Sequence, residues 1–203
     1  MRLRSRPVGA ILAGGAGLRI GGEKATVELH GKPLICYPLE ALSQVLKKVA
    51  ILSKSSTRLP PISGATVWIE PERPRHPLVG ITQALALAGG RPVLVCAADL
   101  PFVTPELVRR LVQADPGRAP AVVACAHGAM NPLIGCYQPR ALQLLAGPAR
   151  AGTDPLLETI AAIDPVLLET DDPEELFDVD TPDDLLLAAA MIDQRKFTAQ
   201  RQY

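Results

Sequence analysis

The stretch that decides the fold is VGAILAGGAGLRIGGEK, Val8 to Lys24, near the start of the 203-residue chain. Its first six residues are apolar and end at a glycine cluster, which is typical of a buried parallel strand followed by a turn. The following segment contains five glycines and two basic residues, Arg19 and Lys24. Backbone amides in such a loop can hold phosphate oxygens while the basic side chains neutralise their charge. The stretch therefore predicts a strand and a phosphate-binding loop, with a flexible connector as the alternative.

This loop matches neither of the two common phosphate-binding patterns. The Walker pattern requires lysine directly after its second glycine, and here Glu23 follows Gly22. The dinucleotide pattern GxGxxG, begun at Gly15 and Gly17, requires glycine at position 20, which is Ile20. The sequence therefore predicts a third type of phosphate loop.

Apolar runs alternate with helical patterns along the rest of the chain. Thr104 and Thr181 each precede a proline, the arrangement of a helix N-cap followed by proline at the first helical position. This alternation predicts an α/β fold with a mostly parallel sheet and helices on both faces. We expect one domain over residues 1–203, with flexible tails at 1–7 and 196–203. The predicted strands are 8–13, 48–53, 66–70, 92–98, 121–125 and 131–137, and the predicted helices are 33–45, 78–88, 105–114, 141–145, 154–161 and 182–195.

The composition argues against several classes of function. Lys plus Arg and Asp plus Glu number 21 each, so the formal net charge of zero provides no global field for nucleic acid. An aromatic content of 3% argues against stacking of single strands. We expect no transmembrane helix and no secretory signal, because the apolar runs are too short for either. The predicted protein is cytoplasmic, with no nucleic-acid or membrane partner. Its four cysteines form no CxxC pair and are expected to be buried thiols.

Parallel sheets bind ligands beyond the carboxyl ends of their strands. Carboxylates are found at the ends of two predicted strands and in one extended segment near the C-terminus. Asp99 follows the most apolar strand, and its hard oxygen atoms suit Mg²⁺ bound to a nucleotide. Asp178 or Asp180 could join it, because residues two apart share a face of an extended segment. Glu70 ends the third strand, where a carboxylate could accept the N1 and N2 hydrogens of guanine. Turn-forming or solvent-exposed roles are the alternatives for these residues.

Six motifs are spread over nearly the whole chain: LAGGAGLRIGGEK (12–24), GKPLI (31–35), HPLVG (76–80), ADLPFV (98–103), NPLIGCY (131–137) and FDVDTPDDL (177–185). In this order they resemble the motifs of the molybdenum cofactor guanylyltransferases. The first motif resembles the loop of nucleotidyltransferases in general, and its combination with the later motifs points to this one family.

The resemblance implies a Rossmann-like nucleotidyltransferase fold that transfers GMP from Mg·GTP to the terminal phosphate of molybdenum-molybdopterin, forming molybdopterin guanine dinucleotide and pyrophosphate. The nucleophile is then already an anionic phosphate and needs no Ser, His or Cys to activate it. Catalysis would consist of in-line positioning and charge neutralisation. By position, the resemblance implies nucleotide contacts from Leu12, Ala13, Gly14, Gly15, Lys24, Ser53, Glu70 and Asp99, catalytic roles for Arg19, Lys24 and Asp99, and Mg²⁺ ligation by Asp99 and Asp180.

Several positions depart from the family pattern. Glu23 and Glu70 stand where aspartate is usual, and the late motif reads DVDTP, which resembles the related molybdopterin cytidylyltransferases. The LAGG and PLVG motifs favour the guanylyl branch, so GTP is predicted over CTP. Cytidylyl transfer, nucleotidyl transfer to a sugar or polyol phosphate, and non-catalytic delivery of the cofactor remain alternatives. Retention of Lys24, Asp99 and Asp180 argues against the last of these.

For the second substrate, the sequence indicates only a region of the chain. The pterin could bind to the second half of the chain, around Asn131 and a loop over Gly147 to Thr153. A basic trio of Arg73, Arg75 and His76 could meet an anionic substrate or be simply exposed. We also expect transient contact with molybdenum-insertion proteins or target molybdoenzymes, and a monomeric protein.

Overall fold

A seven-stranded sheet forms the centre of the molecule in the computed structural model, which describes residues 6–14 and 26–200. The strands are β1 (Val8–Leu12), β2 (Glu28–Leu29), β3 (Lys32–Pro33), β4 (Val49–Ser53), β5 (Thr66–Ile69), β6 (Val93–Ala97), β7 (Ala121–Ala126), β8 (Ala129–Tyr137) and β9 (Val166–Glu169). The helices are α1 (Cys36–Ser43), α2 (Pro77–Leu87), α3 (Pro105–Gln113), α4 (Ala141–Ala151), α5 (Leu156–Ala161) and α6 (Pro182–Gln200), with a short 3-10 helix at Pro173–Leu176.

The main sheet has the order β5-β4-β1-β6-β8-β7-β9, and β2 and β3 form a separate hairpin. β1 pairs in parallel with both β4 and β6, while β8 runs antiparallel to both of its neighbours. β7 therefore has the same direction as β6, and β9 is parallel to β7. Six of the seven strands thus end at one edge of the sheet, and this confirms the predicted mostly parallel α/β architecture.

Both faces of the sheet are covered by helices because the central strands are apolar on both sides. Side chains that are adjacent along β1 point to opposite faces. Ile11 joins a buried cluster with residues of α1 and α3, such as Leu42 and Val108. Ala10 joins a second cluster with residues of α2 and α4, such as Leu78. The sheet is therefore the middle layer of three. Because helices cover both faces, a ligand-binding site is expected at an edge of the sheet.

The predicted element map was incomplete or wrong in several places, and it also lacked the β2–β3 hairpin and the 3-10 helix. The strand β9 was not predicted, because it is a short edge strand whose four residues lack a regular apolar alternation. The helix α4 continues to Ala151, well past the predicted end at Leu145, although it contains Pro148. Its end is set by Gly152, which has a φ of +64° and so closes the helix in the left-handed conformation.

The last helix was predicted correctly at its start and too short at its end. The Thr181 hydroxyl accepts from the backbone N–H of Asp184, at 3.2 Å, and the Asp184 carboxylate accepts from the Thr181 N–H at 2.8 Å. This reciprocal capping box was expected from the sequence. The helix continues to Gln200 rather than ending near Arg195. The flexibility of the two tails stays a prediction.

Three of the four cysteines are buried, as the sequence predicts. Cys96, Cys125 and Cys136 are buried free thiols, whereas Cys36 is half-buried. Burial raises the pKa of the Cys136 thiol to about 12. Over residues 6–14 and 26–200, no helix is both long enough and apolar enough to cross a lipid bilayer.

Candidate active site at the carboxyl edge of the sheet

Backbone hydrogen bonds continue past the strands and hold the predicted site residues at one edge of the sheet. The Ala13 amide donates to the Leu52 carbonyl at 2.8 Å, and the Ala98 amide donates to the Leu12 carbonyl at 3.1 Å. In the same way, the Glu70 amide donates to the Ser53 carbonyl at 3.0 Å. The ends of β1, β4, β5 and β6 are therefore held side by side. This is the edge at which open α/β sheets bind ligands.

Glu70 lies inside this edge rather than on the surface. Its relative exposure is 7%, and one carboxylate oxygen, Oε1, is 3.0 Å from the ammonium nitrogen of Lys54. Lys54 is itself only 4% exposed, and it also donates to the Pro71 carbonyl at 2.8 Å. The alternative of a solvent-exposed glutamate is therefore wrong. A buried ion pair is expensive to desolvate, so it is weak grounds for a purely stabilising role.

Two glycines allow this carboxylate to fit against the backbone. A Cβ atom on Gly14 would lie 1.9 Å from Oε1 of Glu70, which is far inside van der Waals contact. On the other side, a Cβ atom on Gly80 would lie 2.9 Å from Oε2. Gly14 follows β1 and Gly80 is in α2. The carboxylate is thus enclosed between the first strand end and the second helix, and larger residues at either glycine would displace it.

The loop after β4 is fixed by a second carboxylate. Glu72 accepts from the hydroxyls of Ser55 and Ser56, at 2.8 and 2.9 Å, and from the Ser56 amide at 3.1 Å. These hydrogen bonds lower the pKa of Glu72. They join the loop that carries Lys54 to the loop that follows Glu70. The placement of the Lys54 ammonium is therefore supported from both strands.

At the end of β4, the side chain that contacts the Glu70 carboxylate belongs to Lys54 and not to Ser53. Ser53, the predicted base contact, is the last residue of β4 and is 2% exposed. Its carbonyl is paired with the Glu70 amide, whereas the next residue, Lys54, reaches the Glu70 carboxylate. Sequence reasoning did not find Lys54, because a lysine among three serines has the pattern of an exposed loop.

The two predicted metal-binding aspartates come from segments that the backbone joins. The Val179 amide donates to the Asp99 carbonyl at 3.0 Å. Val179 is completely buried, and the Phe177 ring packs edge-on against Phe102 with centroids 6.0 Å apart. Asp180 is the next residue, and its amide donates to the Asp184 carboxylate at 3.1 Å. The predicted inward and outward alternation of this segment is therefore correct, and it brings Asp180 to the same edge as Asp99.

The carboxylates of Asp99 and Asp180 are oxygen ligands of the kind that Mg²⁺ prefers. Within the described part of the chain, no group of three or more His, Cys, Asp or Glu side chains is placed to hold a metal by itself. Two carboxylates remain, and Oδ1 of Asp99 is buried. Mg²⁺ is usually held by one or two carboxylates together with substrate phosphates and water. The pair therefore fits a magnesium ion that arrives with a nucleotide and does not fit a closed structural site.

Three of the predicted site residues lie outside the described residues. They are Gly15 and Lys24, predicted to bind the nucleotide, and Arg19, predicted with Lys24 to be catalytic. The described neighbours Leu12, Ala13 and Gly14 end at the sheet edge next to Glu70.

A second group of loops meets beside this edge. A Cβ atom on Gly152 would lie 2.5 Å from Cβ of Pro74, so the end of α4 contacts the loop that follows Glu70. Arg73 and Arg75 of that loop are exposed. His76 is half-buried and caps α2, because its Nδ1 accepts from the Leu78 amide at 3.2 Å. The predicted loop over Gly147 to Thr153 is wrong in its first part, since residues 147–151 are helical.

Asn131, the other residue predicted near the pterin, is at the start of β8. Its side-chain oxygen accepts from the Leu133 amide at 2.9 Å. Nearby, at the ends of β7 and β9, the Cys125 thiol donates to Oε2 of Glu169 at 3.0 Å, and the His127 amide donates to Oε1 of Glu169. Burial, and then the Glu169 carboxylate, raise the pKa of Cys125 to about 11. The same thiol hydrogen bond is the main cause of a lowered pKa for Glu169.

A buried carboxylate also connects the loop after β6 to the rest of the edge. Glu175, in the 3-10 helix, is 5% exposed and accepts from the hydroxyls of Thr104 and Thr170. Thr104 is the N-cap of α3 and its hydroxyl also accepts from the Leu107 amide at 3.1 Å. The segment from Asp99 to Thr104 is therefore held at its far end by a group that the sequence analysis missed.

Comparison with known proteins identifies the family of the chain. Residues 9–166 match the sequence profile of the MobA-like NTP transferase domain. The chain is 30% identical, over 88% of its length and 96% of the relative's, to a probable molybdenum cofactor guanylyltransferase of Thermococcus gammatolerans. It is 31% identical, over 92% of its length and 97% of the relative's, to a molybdenum cofactor guanylyltransferase of Cereibacter sphaeroides.

A solved structure shows the same fold. The crystal structure of molybdopterin-guanine dinucleotide biosynthesis protein A from Archaeoglobus fulgidus superposes with a TM-score of 0.74. That similarity covers 92% of this chain and 98% of the other, at 25% identity. The sheet edge described above is thus part of a nucleotidyltransferase fold, and the chain belongs to the MobA-like NTP transferase family.

Proposed function

We propose that this protein transfers GMP from Mg·GTP to the terminal phosphate of molybdenum-molybdopterin, releasing pyrophosphate. The observation that carries the proposal is the buried Glu70 carboxylate at the carboxyl edge of the sheet, enclosed by Gly14 and Gly80. A carboxylate accepts hydrogen bonds, and guanine presents two neighbouring donors, N1–H and N2–H, on one edge. The names of the relatives point to the same base.

The residues of the edge and of the segment after β1 have the following proposed roles. Leu12, Ala13, Gly14 and Gly15 would contact the nucleotide, and the end of β4 at Ser53 would approach the base. Asp99 and Asp180 would hold Mg²⁺, which supplies positive charge to the α-phosphate and to the departing pyrophosphate. Lys24 and Arg19 would neutralise the same phosphates from the loop after β1. These charges would stabilise the transition state by their fixed positions.

The second substrate would bind where the loop after β5 meets the end of α4. Arg73 and Arg75 are exposed there, and Arg150 is in the last turn of α4. Cationic side chains at this place suit a substrate with a terminal phosphate. Asn131 would be on the same side of the site. We further propose a cytoplasmic monomer that passes its product to molybdenum-insertion proteins or target molybdoenzymes by transient contact.

The test is a turnover assay with purified protein, molybdopterin and each of the four ribonucleoside triphosphates, with and without Mg²⁺. The proposal expects pyrophosphate only when GTP, Mg²⁺ and molybdopterin are all present. Pyrophosphate from CTP instead would assign the protein to cytidylyl transfer, the alternative that the DVDTP motif favours. Tight nucleotide binding without pyrophosphate from any triphosphate would identify a cofactor-delivery protein.

A further inference from the structure

Among the described residues, the ammonium group of Lys54 makes two contacts, one fewer than its three N–H donors. A lysine ammonium has three N–H groups and no acceptor. One donates to the Pro71 carbonyl at 2.8 Å, and one faces Oε1 of Glu70 at 3.0 Å. Lys54 is 4% exposed, and these two contacts hold its ammonium group at the sheet edge. That place is next to the carboxylate that the proposed function assigns to guanine.

We infer that Lys54 is a base-reading residue, and that its third N–H donates to O6 of guanine while Glu70 accepts from N1–H and N2–H. This inference rests on the proposed function and adds to it a residue that recognises the substrate. In guanine, O6 is adjacent to N1–H, just as the ammonium is adjacent to the carboxylate. One cation and one carboxylate together present a donor followed by two acceptors.

This order of groups selects guanine among the common bases. Guanine offers an acceptor followed by two donors along its edge, which matches all three protein groups. Uracil has an acceptor in the third place, so its O2 would face a carboxylate oxygen. Cytosine and adenine begin with an amino donor and continue with an acceptor, so each can satisfy only part of the set. The buried pair therefore favours GTP over CTP.

The enclosed position of the pair explains why such reading would be strict. Glu70 lies against Gly14 and Gly80, and the Pro71 carbonyl accepts a hydrogen bond from the ammonium. A base with the wrong pattern would leave the third N–H of Lys54 or a carboxylate lone pair buried without a hydrogen bond, and this is costly. Rejection of the wrong base would then come from these unsatisfied polar groups.

The first test measures dissociation constants of Mg·nucleotide complexes by calorimetry for the wild type and for Lys54→Met. Methionine has similar length and lacks both the charge and the donors. Loss of a hydrogen bond from a charged group is expected to weaken GTP binding by about 10- to 100-fold. ITP retains O6 and N1–H and lacks the 2-amino group, so Lys54→Met should weaken ITP by the same factor. The triphosphate of 2-aminopurine riboside lacks O6 and should be almost unaffected.

The matched control is Lys48→Met, the same change on an exposed lysine just before the other end of β4. It should leave all affinities unchanged. If Lys54 acts only by holding Glu70, Lys54→Met would weaken GTP more than ITP, and that result would overturn the inference. Unchanged GTP affinity in Lys54→Met would also overturn it while leaving the proposed function standing. Absence of GTP binding to the wild type would instead remove the proposed function.

A crystal structure of the wild-type protein with Mg·GTP provides a test that does not depend on a variant that folds. The inference expects Nζ of Lys54 within hydrogen-bond distance of O6, about 3 Å. Separation by more than about 4 Å, or a guanine ring bound elsewhere, would overturn it. The same structure would separate the two hypotheses, because a base that contacts Glu70 and leaves Lys54 aside supports only the proposed function.

Discussion

Replacement of Gly14 by alanine tests the enclosed carboxylate most severely. The new methyl group would lie 1.9 Å from Oε1 and 3.0 Å from Cδ of Glu70, whereas ordinary contact begins at about 3.4 Å. The carboxylate would therefore have to move by about 1.5 Å relative to this methyl group. Since Oε1 is only 3.0 Å from the Lys54 ammonium, such a shift would separate the buried pair.

The expected loss of stability follows from two effects. Overpacking of a tight interior costs about 1–3 kcal/mol, and breaking a buried ion pair costs about 3–5 kcal/mol. The two costs are not fully additive, because the movement of the carboxylate that relieves the clash is the one that breaks the ion pair. We expect a loss of about 3 kcal/mol, which for a chain of this size lowers the melting temperature by about 6–12 °C.

The assay is thermal unfolding followed by circular dichroism, with GTP affinity measured in parallel. Gly147→Ala is the matched control, because no atom lies within 4 Å of a Cβ atom at that helical glycine. It should be neutral or stabilising by about 0.5–1 kcal/mol. The double variant Gly14→Ala with Glu70→Asp should recover part of the lost stability, since the shorter side chain withdraws the carboxylate. A Gly14→Ala protein that melts at the wild-type temperature would refute the reasoning.

Three further predictions concern other parts of the molecule. Asp99→Ala should abolish Mg²⁺-dependent turnover and leave the melting curve in place, with Asp183→Ala on the exposed start of α6 as control; normal turnover would remove Asp99 from the metal site. Thr181→Ala should lower the free energy of unfolding by about 1 kcal/mol in urea titration, and adding Asp184→Ala should cost less than a second full increment, because the two share one capping box. The Cys125 thiol has its pKa raised to about 11 from a usual 9.0, so the folded state favours its neutral form; the resulting stability is complete below pH 9 and is lost as the pH rises through 11. Urea titrations at pH 8.5 and 11 should show a larger loss for the wild type than for Cys125→Ala, and equal losses would contradict the buried thiol.

Much of the fold could be predicted because strand and helix signals are local. β1 and β6 are short apolar runs with turn residues after them, and Thr104 and Thr181 mark helix starts through their own hydroxyls. The end of α4 could not be read in this way. Gly147 and Pro148 are usual helix breakers, but the cost of an interior proline, about 3 kcal/mol, can be outweighed by tertiary packing.

The location of the candidate site could be predicted from the sequence, whereas the contacts between its side chains could not. Asp99, Glu70 and the residues after β1 follow strands that run in one direction, so their meeting at one edge follows from topology alone. The pairing of Lys54 with Glu70 depends on β4 and β5 being neighbours and on the space that Gly14 and Gly80 leave. No local pattern encodes such a contact, and a lysine beside three serines suggests solvent instead. Glu175 was missed for the same reason, because one of its two threonine partners, Thr104, lies 71 residues away in the sequence.

The most direct test of the central claim uses GTP with a label on its α-phosphate. The labelled GTP is incubated with the protein, Mg²⁺ and molybdopterin, and the position of the label is followed. The account predicts that the label moves from GTP into a pterin dinucleotide, with one pyrophosphate released for each GMP transferred, and that equally labelled CTP and ATP remain unchanged. Label that stays in GTP, or transfer from CTP in preference to GTP, would contradict it.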